Sequence, residues 1–211
     1  MQVKQFVFNP LQVNSYLLYS REDAVLIDPA MMGDQEKKEI NEFIRENSLN
    51  LTKVLYTHGH MDHVSGSAWL KSTFGAKIYG SKKDDMLLST AVEHGEAFGL
   101  EVEKPAEIDK NITEGTEIEV GEESIVCIPV PGHSPGGFSF VHHESASVFC
   151  GDSVFAGSIG STDLPGGDYD ILLKSIKEKI LKLPDHYKLF PGHGESTSIE
   201  QELKTNPFFE G

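Results

Sequence analysis

Basic side chains, cysteine and long apolar runs are all scarce in this sequence of 211 residues. Lys and Arg number 18 against 33 Asp and Glu, which gives a formal net charge of -15. Because nucleic-acid backbones are bound mainly by Lys and Arg, this balance argues against a nucleic-acid partner. No apolar run approaches the roughly 18 residues that span a membrane, and residues 1–5 lack the apolar core of a secretory signal. These absences predict a cytoplasmic protein that binds neither nucleic acid nor membrane.

The two cysteines, Cys127 and Cys150, both lie in apolar, strand-like runs. Their number and position favour buried free thiols over a disulfide framework. With 38% hydrophobic and 24% charged residues, the composition is typical of a globular protein, and the length fits one domain over residues 1–211. The oligomeric state is left open.

Short strand-like segments fall into two groups, separated by helical patterns. The predicted strands are 3–8, 15–19, 24–27, 51–56 and 78–80 in the first group, and 118–120, 124–130, 138–142 and 147–150 in the second. The predicted helices are 34–47, 64–74 and 170–182. This order predicts an α/β fold in which two sheets pack face to face and are covered outside by helices.

One loop concentrates the groups that bind metals. Three imidazoles and a carboxylate fall within six consecutive residues, in the run His58-Gly59-His60-Met61-Asp62-His63. Their side chains can converge only on a tight loop, because a strand would alternate them between faces and a helix would splay His58 from His60. A structural zinc clip is the alternative, but such clips usually use cysteine, and this loop has none.

Three later predicted strands also end in residues able to bind a metal. These residues are His133, Asp152 and His193, and each directly follows a glycine. Glycine permits unusual φ angles and close backbone approach, so each loop can aim its side chain inward. Any one of these histidines alone would more often be an ordinary loop residue. Four strand-end loops carrying five His and two Asp together predict a site for two metal ions.

With these residues the sequence resembles the metallo-β-lactamase superfamily, through its HxHxDH loop and the later His, Asp and His. Asp28, at the end of a predicted strand, matches the superfamily's early aspartate. Taken alone, Asp28 could form a turn or support the residues of a nearby site, and the turn is the favoured interpretation. Residues 151–209 are similar to the glyoxalase II-like hydrolases, through the runs GDSVF, GSIGSTDLPGGD, PGHG and TNPFF. The resemblance implies a four-layer αββα sandwich with the site along one edge of the sheets.

The resemblance also implies a ligand assignment in two sets joined by a bridge. One ion would be bound by His58, His60 and His133, the other by Asp62, His63 and His193, and Asp152 would bridge both. Imidazole and carboxylate ligands without a thiolate suit zinc, and also iron or manganese, so the ligand set alone does not fix the metal. Zinc is the first expectation. Four histidines lack any motif context and are expected at the surface or in packing: His94, His142, His143 and His186.

The activity implied by the resemblance is hydrolysis of a small-molecule thioester, of the hydroxyacylglutathione hydrolase (glyoxalase II-like) type. Two ions about 3.5–4 Å apart can share a water and lower its pKa towards about 7. Metal-bridging hydroxide is therefore the expected nucleophile, with Asp62 and Asp152 as the catalytic carboxylates that hold the ions. A leaving thiolate, with a pKa near about 8.5, needs little help from a general acid.

Two departures from glyoxalase II concern substrate recognition. Glyoxalase II proper carries a further C-terminal helical domain that helps to hold glutathione, whereas this sequence ends about eighteen residues after His193. A weak affinity for glutathione conjugates is therefore expected. Ser161 stands where relatives often carry arginine, so any substrate or structural contact made by that arginine is missing here.

Two other functions compete with the hydrolase. A persulfide dioxygenase with a single iron would use His58, His133 and Asp152 as a two-histidine, one-carboxylate triad, but the retained His193 favours two ions. A noncatalytic metal-stabilised module is weaker, because Asp62 and Asp152 make an open site. Residues 84–115 carry no evident chemistry. Their larger side chains could line a substrate mouth or cover the core, and packing is the favoured interpretation for these side chains: Met86, Leu87, Leu88, His94, Phe98 and Leu100.

Overall fold

The computed structural model describes residues 1–209 as two β-sheets with helices on their outer faces. The first half of the chain contains β1 (Gln2–Phe8), β2 (Val13–Ser20), β3 (Asp23–Ile27), α1 (Asp34–Glu46), β4 (Asn50–Leu55), α2 (Met61–Val64), α3 (Ser67–Phe74), β5 (Lys77–Gly80), a 3-10 turn (Lys82–Asp84), α4 (Asp85–Ser89) and α5 (Ala91–Ala97). The second half contains β6 (Lys110–Asn111), β7 (Glu117–Val120), β8 (Glu123–Pro129), β9 (Phe138–His142), β10 (Ser147–Gly151), β11 (Val154–Phe155), β12 (Ser158–Ile159), α6 (Tyr169–Ser175), a π-helical segment (Ile176–Ile180), β13 (Lys188–Pro191), β14 (Thr197–Ser198) and α7 (Ile199–Thr205).

The strands form two six-stranded sheets, of order β1-β2-β3-β4-β5-β6 and β14-β13-β10-β9-β8-β7. Side chains alternate between the two faces of a strand. Leu18 and Ile27 on the first sheet accordingly pack against Phe140 and Phe149 of the second, between the sheets. Leu17, the neighbour of Leu18, points outward against the helical layer.

Each outer face is covered by helices. Ile40 and Ile44 of α1 and Leu70 of α3 bury their side chains against the first sheet. Leu172, Ile176 and Ile180 are fully buried on the second sheet, as their spacing of four residues predicts. The order of layers is therefore helix, sheet, sheet, helix, and the predicted αββα sandwich is confirmed.

This topology gathers several loops at one edge. β3 runs parallel to β4, and β10 runs parallel to β13, while β8 and β10 share one direction because both are antiparallel to β9. The carboxyl ends of strands that share a direction lie at the same edge of a sheet. The loops after β8, β10 and β13 therefore meet on the second sheet, and those after β3 and β4 meet on the first.

Two local predictions need correction. The HxHxDH run is not all loop, because Asp62 and His63 lie on the short helix α2. The predicted helix 170–182 changes from α-helical to π-helical hydrogen bonding after Ser175.

Three further expectations concern the cysteines, membrane-spanning segments and the extent of the domain. Cys127 and Cys150 are free and buried, as predicted. No helix within the described residues is long and apolar enough to cross a membrane. The single domain over 1–211 stays a prediction, and its last two positions lie outside the described residues.

Candidate metal centre

All seven predicted ligands meet where the strand-end loops converge. Their candidate ligand atoms form two groups in which all atoms lie within 4.8 Å of one another: His58, His60 and His133, and Asp62, His63 and His193. Asp152 faces both groups, because its Oδ1 is 3.4 Å from His63 Nε2 and its Oδ2 is 3.6 Å from His133 Nε2 and 3.5 Å from His193 Nε2. This is the placement that a bridging carboxylate requires.

The spacing of the ligand atoms fits small divalent ions. Ligand atoms of a tetrahedral ion bound at about 2.1 Å lie about 3.4 Å from one another. His60 Nδ1 lies 2.9 Å from His133 Nε2, and His63 Nε2 lies 3.2 Å from His193 Nε2. Within the described part of the chain, buried His58 Nε2 and Asp152 Oδ1 have no hydrogen-bond partner, which is costly unless another ligand binds them. The donor set therefore fits two divalent metal ions.

Four of the five histidines have one ring nitrogen held by a protein acceptor, at distances between 2.6 and 2.9 Å. The acceptors are Thr57 Oγ1 for His58, Asp28 Oδ2 for His63, the Ser161 carbonyl for His133 and the Leu11 carbonyl for His193. In each case Nδ1 donates, which fixes the tautomer and leaves Nε2 free to bind a metal. His60 differs, because its Nδ1 faces His133.

Asp28 supports the ligands and is not simply a turn residue. Its Oδ1 accepts a hydrogen bond from the backbone N–H of Thr57 at 2.7 Å, and its Oδ2 accepts from Thr57 Oγ1 at 2.7 Å and from His63 Nδ1 at 2.9 Å. The turn-forming role that Asp28 suggests in isolation is therefore wrong as a full account. Asp28 also has a φ of 51°, which is unusual for a residue other than glycine and typical of functional sites.

The pKa values of the clustered side chains are shifted in different directions by burial and by neighbouring charges. Burial lowers the pKa of His58 well below its usual value and that of His60 to about 4, so both stay neutral, the form in which imidazole binds metals. Burial also opposes charge on His63, but the carboxylates of Asp152 and Asp62 outweigh it and raise the pKa of that imidazole. Burial would likewise raise the pKa of Asp152, yet the charge of His63 keeps it well below its usual value. The carboxylates thus favour positive charge between them, which a divalent cation also supplies.

Asp84 is a buried carboxylate that contacts two of the loops carrying predicted ligands, and no local sequence pattern indicates this role. Its Oδ2 accepts from the backbone N–H of Gly59 and from Ser134 Oγ, both at 2.8 Å, and its Oδ1 accepts from the N–H of Gly136 at 2.6 Å. It therefore joins the loop of His58 and His60 to the loop of His133. Ser81, three residues before Asp84, is a sequence signature of a helix start. That turn is present with Ser81 as its N-cap, but the pattern does not reveal the distant partners of Asp84.

Glycine at position 192 is required by the site itself. A Cβ there would lie 2.1 Å from Asp152 Oδ1 and 2.7 Å from His63 Cε1. Gly132 has a φ of +129°, and a Cβ there would lie 2.2 Å from the backbone nitrogen of Leu172. At both positions the expectation that glycine permits close approach beside a ligand is confirmed.

An open cleft of about 560 Å³ lies over the predicted ligands. His94 and Phe98 line it, so packing alone is the wrong interpretation for these two residues. Phe98 is 63% exposed, whereas Leu87 is buried as expected. The remaining histidines lie outside the cleft: buried His142 contacts Ser145, exposed His143 contacts Tyr187, and His186 is exposed.

Comparisons with known proteins agree with this geometry. The chain is 37% identical to the hydroxyacylglutathione hydrolase GloC of Haemophilus influenzae, over 99% of this chain and 98% of that protein. Its fold matches the BLEG-1 B3 metallo-β-lactamase with a TM-score of 0.89 and 33% identity, each chain being covered in full. It matches TTHA1623 in a di-iron-bound form with a TM-score of 0.89 and 35% identity, over 98% of this chain and 100% of that one.

The family model of the metallo-β-lactamase superfamily matches residues 8–193, a range that contains every predicted ligand. The chain belongs to the metallo-β-lactamase superfamily, whose fold binds divalent metal ions through such clusters.

Proposed function

We propose that this protein is a metal-dependent thioesterase of the hydroxyacylglutathione hydrolase type, which hydrolyses a small 2-hydroxyacyl thioester such as a lactoylated thiol. The observation that carries the proposal is the carboxylate of Asp152, which faces both ligand sets at the cleft. Full-length similarity to a protein named hydroxyacylglutathione hydrolase supports the choice of substrate class.

The predicted ligands form two sets, one for each metal ion. His58, His60 and His133 would hold one ion, and Asp62, His63 and His193 the other, with Asp152 shared. Two bound divalent ions supply an activated water at neutral pH and polarise a carbonyl group. Zinc suits this set of imidazoles and carboxylates, and iron and manganese are also compatible.

The protein's own contribution is to fix the ligands and to shape the cleft. Asp28 and the carbonyl groups of Leu11 and Ser161 orient the imidazoles, so the ligand atoms need little reorganisation on binding. The cleft admits the acyl carbonyl from the open side. A thiolate leaves as a stable anion, so the reaction does not depend on a positioned proton donor.

Turnover of a thioester tests the proposal directly. We expect the zinc-loaded protein to hydrolyse S-lactoyl thioesters, to lose this activity on treatment with a chelator and to regain it with added Zn²⁺. His193→Ala should lower the activity strongly, whereas His186→Ala, at an exposed histidine outside the cleft, should leave it unchanged. If the iron-loaded protein instead consumes oxygen in the presence of a persulfide and leaves thioesters intact, the hydrolase proposal is wrong and the protein is a persulfide dioxygenase.

A further inference from the structure

The cleft above the predicted ligands has an apolar wall. Close to the ligands, Met61 lies between His60 and Asp62 in the chain, and the ring of Phe155 stands edge-on to that of His193, with centroids 6.2 Å apart. Apolar side chains therefore line the cleft directly beside the predicted ligands.

Three further apolar side chains form the rim of the cleft, and each comes from a different part of the chain. Leu11 follows β1, Phe98 follows α5, and Leu164 precedes α6. Their exposed fractions are 38%, 63% and 40%. Large apolar side chains that converge on one cleft while staying exposed are typical of a ligand-binding wall.

The rim has a fixed relation to the ligands. The backbone carbonyl of Leu11 accepts a hydrogen bond from His193 Nδ1 at 2.9 Å. Leu11 thus has two contacts with the site: its backbone orients the predicted ligand His193, and the residue also lines the cleft. A substrate held at the ligands would meet this apolar surface at a defined distance.

Positive charge is missing from this wall. Among the described residues that line the cleft there is no Lys or Arg, and His94 is the sole ionisable side chain beyond the predicted ligands. The chain as a whole carries a formal net charge of -15. A carboxylate or phosphate held against the apolar rim, away from the metal ligands, would lose hydration without a cationic side chain to compensate for it. Glutathione carries two carboxylates, and coenzyme A carries several phosphate charges.

We infer that the preferred substrates are thioesters whose thiol carrier is neutral and apolar, such as an arylalkyl thiol. This inference rests on the proposed thioesterase function and specifies the carrier. The small acyl group occupies the end of the cleft at the ligands, and the carrier lies along the rim formed by Leu11, Phe98 and Leu164. In the reaction the oxygen of water bonds to the carbonyl carbon, the carbon–sulfur bond breaks, and the protons of water end on the carboxylic acid and the thiol.

Three esters with one acyl group test the inference: the S-lactoyl esters of benzyl mercaptan (neutral and apolar), N-acetylcysteamine (neutral and polar) and glutathione (anionic). For the zinc-loaded protein we expect kcat/KM to be at least tenfold higher for the benzyl ester than for the glutathione ester. Equal values, or a higher value for glutathione, would overturn the inference while leaving the thioesterase intact. Turnover of none of the three would refute the proposed function, and the inference with it.

Variants of Phe98 separate the effect of the rim on kcat/KM from the effect of leaving-group reactivity. The leaving group is the same when one ester is compared between the wild-type protein and a variant. Phe98→Ser should lower kcat/KM severalfold for the benzyl ester, through KM, and should lower it much less for the glutathione ester. Phe98→Lys should raise kcat/KM for the glutathione ester. Leu203→Ser is the matched control, because Leu203 is 45% exposed and lies outside the cleft. An equal fall for all three esters in Phe98→Ser would contradict the inference.

Discussion

Replacement of Asp152 by alanine is expected to lower thioester turnover more than replacement of any other predicted ligand. We expect a loss of at least about 10³-fold in kcat/KM, which corresponds to about 4 kcal/mol of transition-state stabilisation. The reason is its position: Asp152 is the carboxylate that faces imidazoles of both ligand sets, His133 on one side and His63 and His193 on the other. Its removal should weaken both predicted metal sites, whereas each other predicted ligand would serve one.

The comparison that decides this prediction includes Asp62→Ala and His193→Ala, measured under metal-replete conditions together with metal content. Both variants should retain more activity than Asp152→Ala. Both should also keep the ion that is predicted to be bound by His58, His60 and His133, since neither Asp62 nor His193 belongs to that set. Asp163→Ala is the control for loss of a carboxylate, since Asp163 is exposed and does not line the cleft. Equal residual activity in the three ligand variants would contradict the assignment of Asp152 as the bridge.

Replacement of Asp84 by asparagine is expected to weaken metal binding about 10–100-fold, the usual cost of losing an outer support of a metal site. The amide has nearly the shape of the carboxylate but only one acceptor oxygen, so its NH₂ group must face a donor. That donor is the N–H of Gly136 on one side, or the N–H of Gly59 and the hydroxyl of Ser134 on the other. Either choice disturbs a loop that carries predicted ligands.

Metal affinity, measured by competition with a chromogenic chelator, separates this role from simple stabilisation. Asp84→Ala would leave three donors unpaired at about 1–3 kcal/mol each and could unfold the chain, so asparagine is the informative change. Asp85→Asn is the matched control, because the neighbouring Asp85 is exposed. If Asp84→Asn lowers the melting temperature while metal affinity and kcat stay unchanged, Asp84 only stabilises the fold.

The residues of the candidate site were predictable where the signal is local. The HxHxDH run places four candidate ligands within six positions, and glycine precedes each of His133, Asp152 and His193. The layers were predictable for a similar reason, because apolar side chains alternate along strands and recur every four residues from Leu172 to Ile180.

The missed features depend on contacts between distant parts of the chain. Asp84 acts on Gly59 and Gly136, which are 25 and 52 residues away, and a local pattern records only the turn in which Asp84 sits. Phe98 follows a helix and looks like a packing residue, yet its ring is mostly exposed on the cleft. The order of strands, which sequence alone leaves open, decides which loops meet.

In the proposed reaction, two divalent ions act together on a thioester in this cleft. A titration of metal-free protein with Zn²⁺, monitored by hydrolysis of S-lactoyl-N-acetylcysteamine, tests it most directly. We expect turnover to rise until two equivalents of Zn²⁺ are bound and then to stay constant. A plateau at one equivalent, or no turnover at any zinc content, would contradict it.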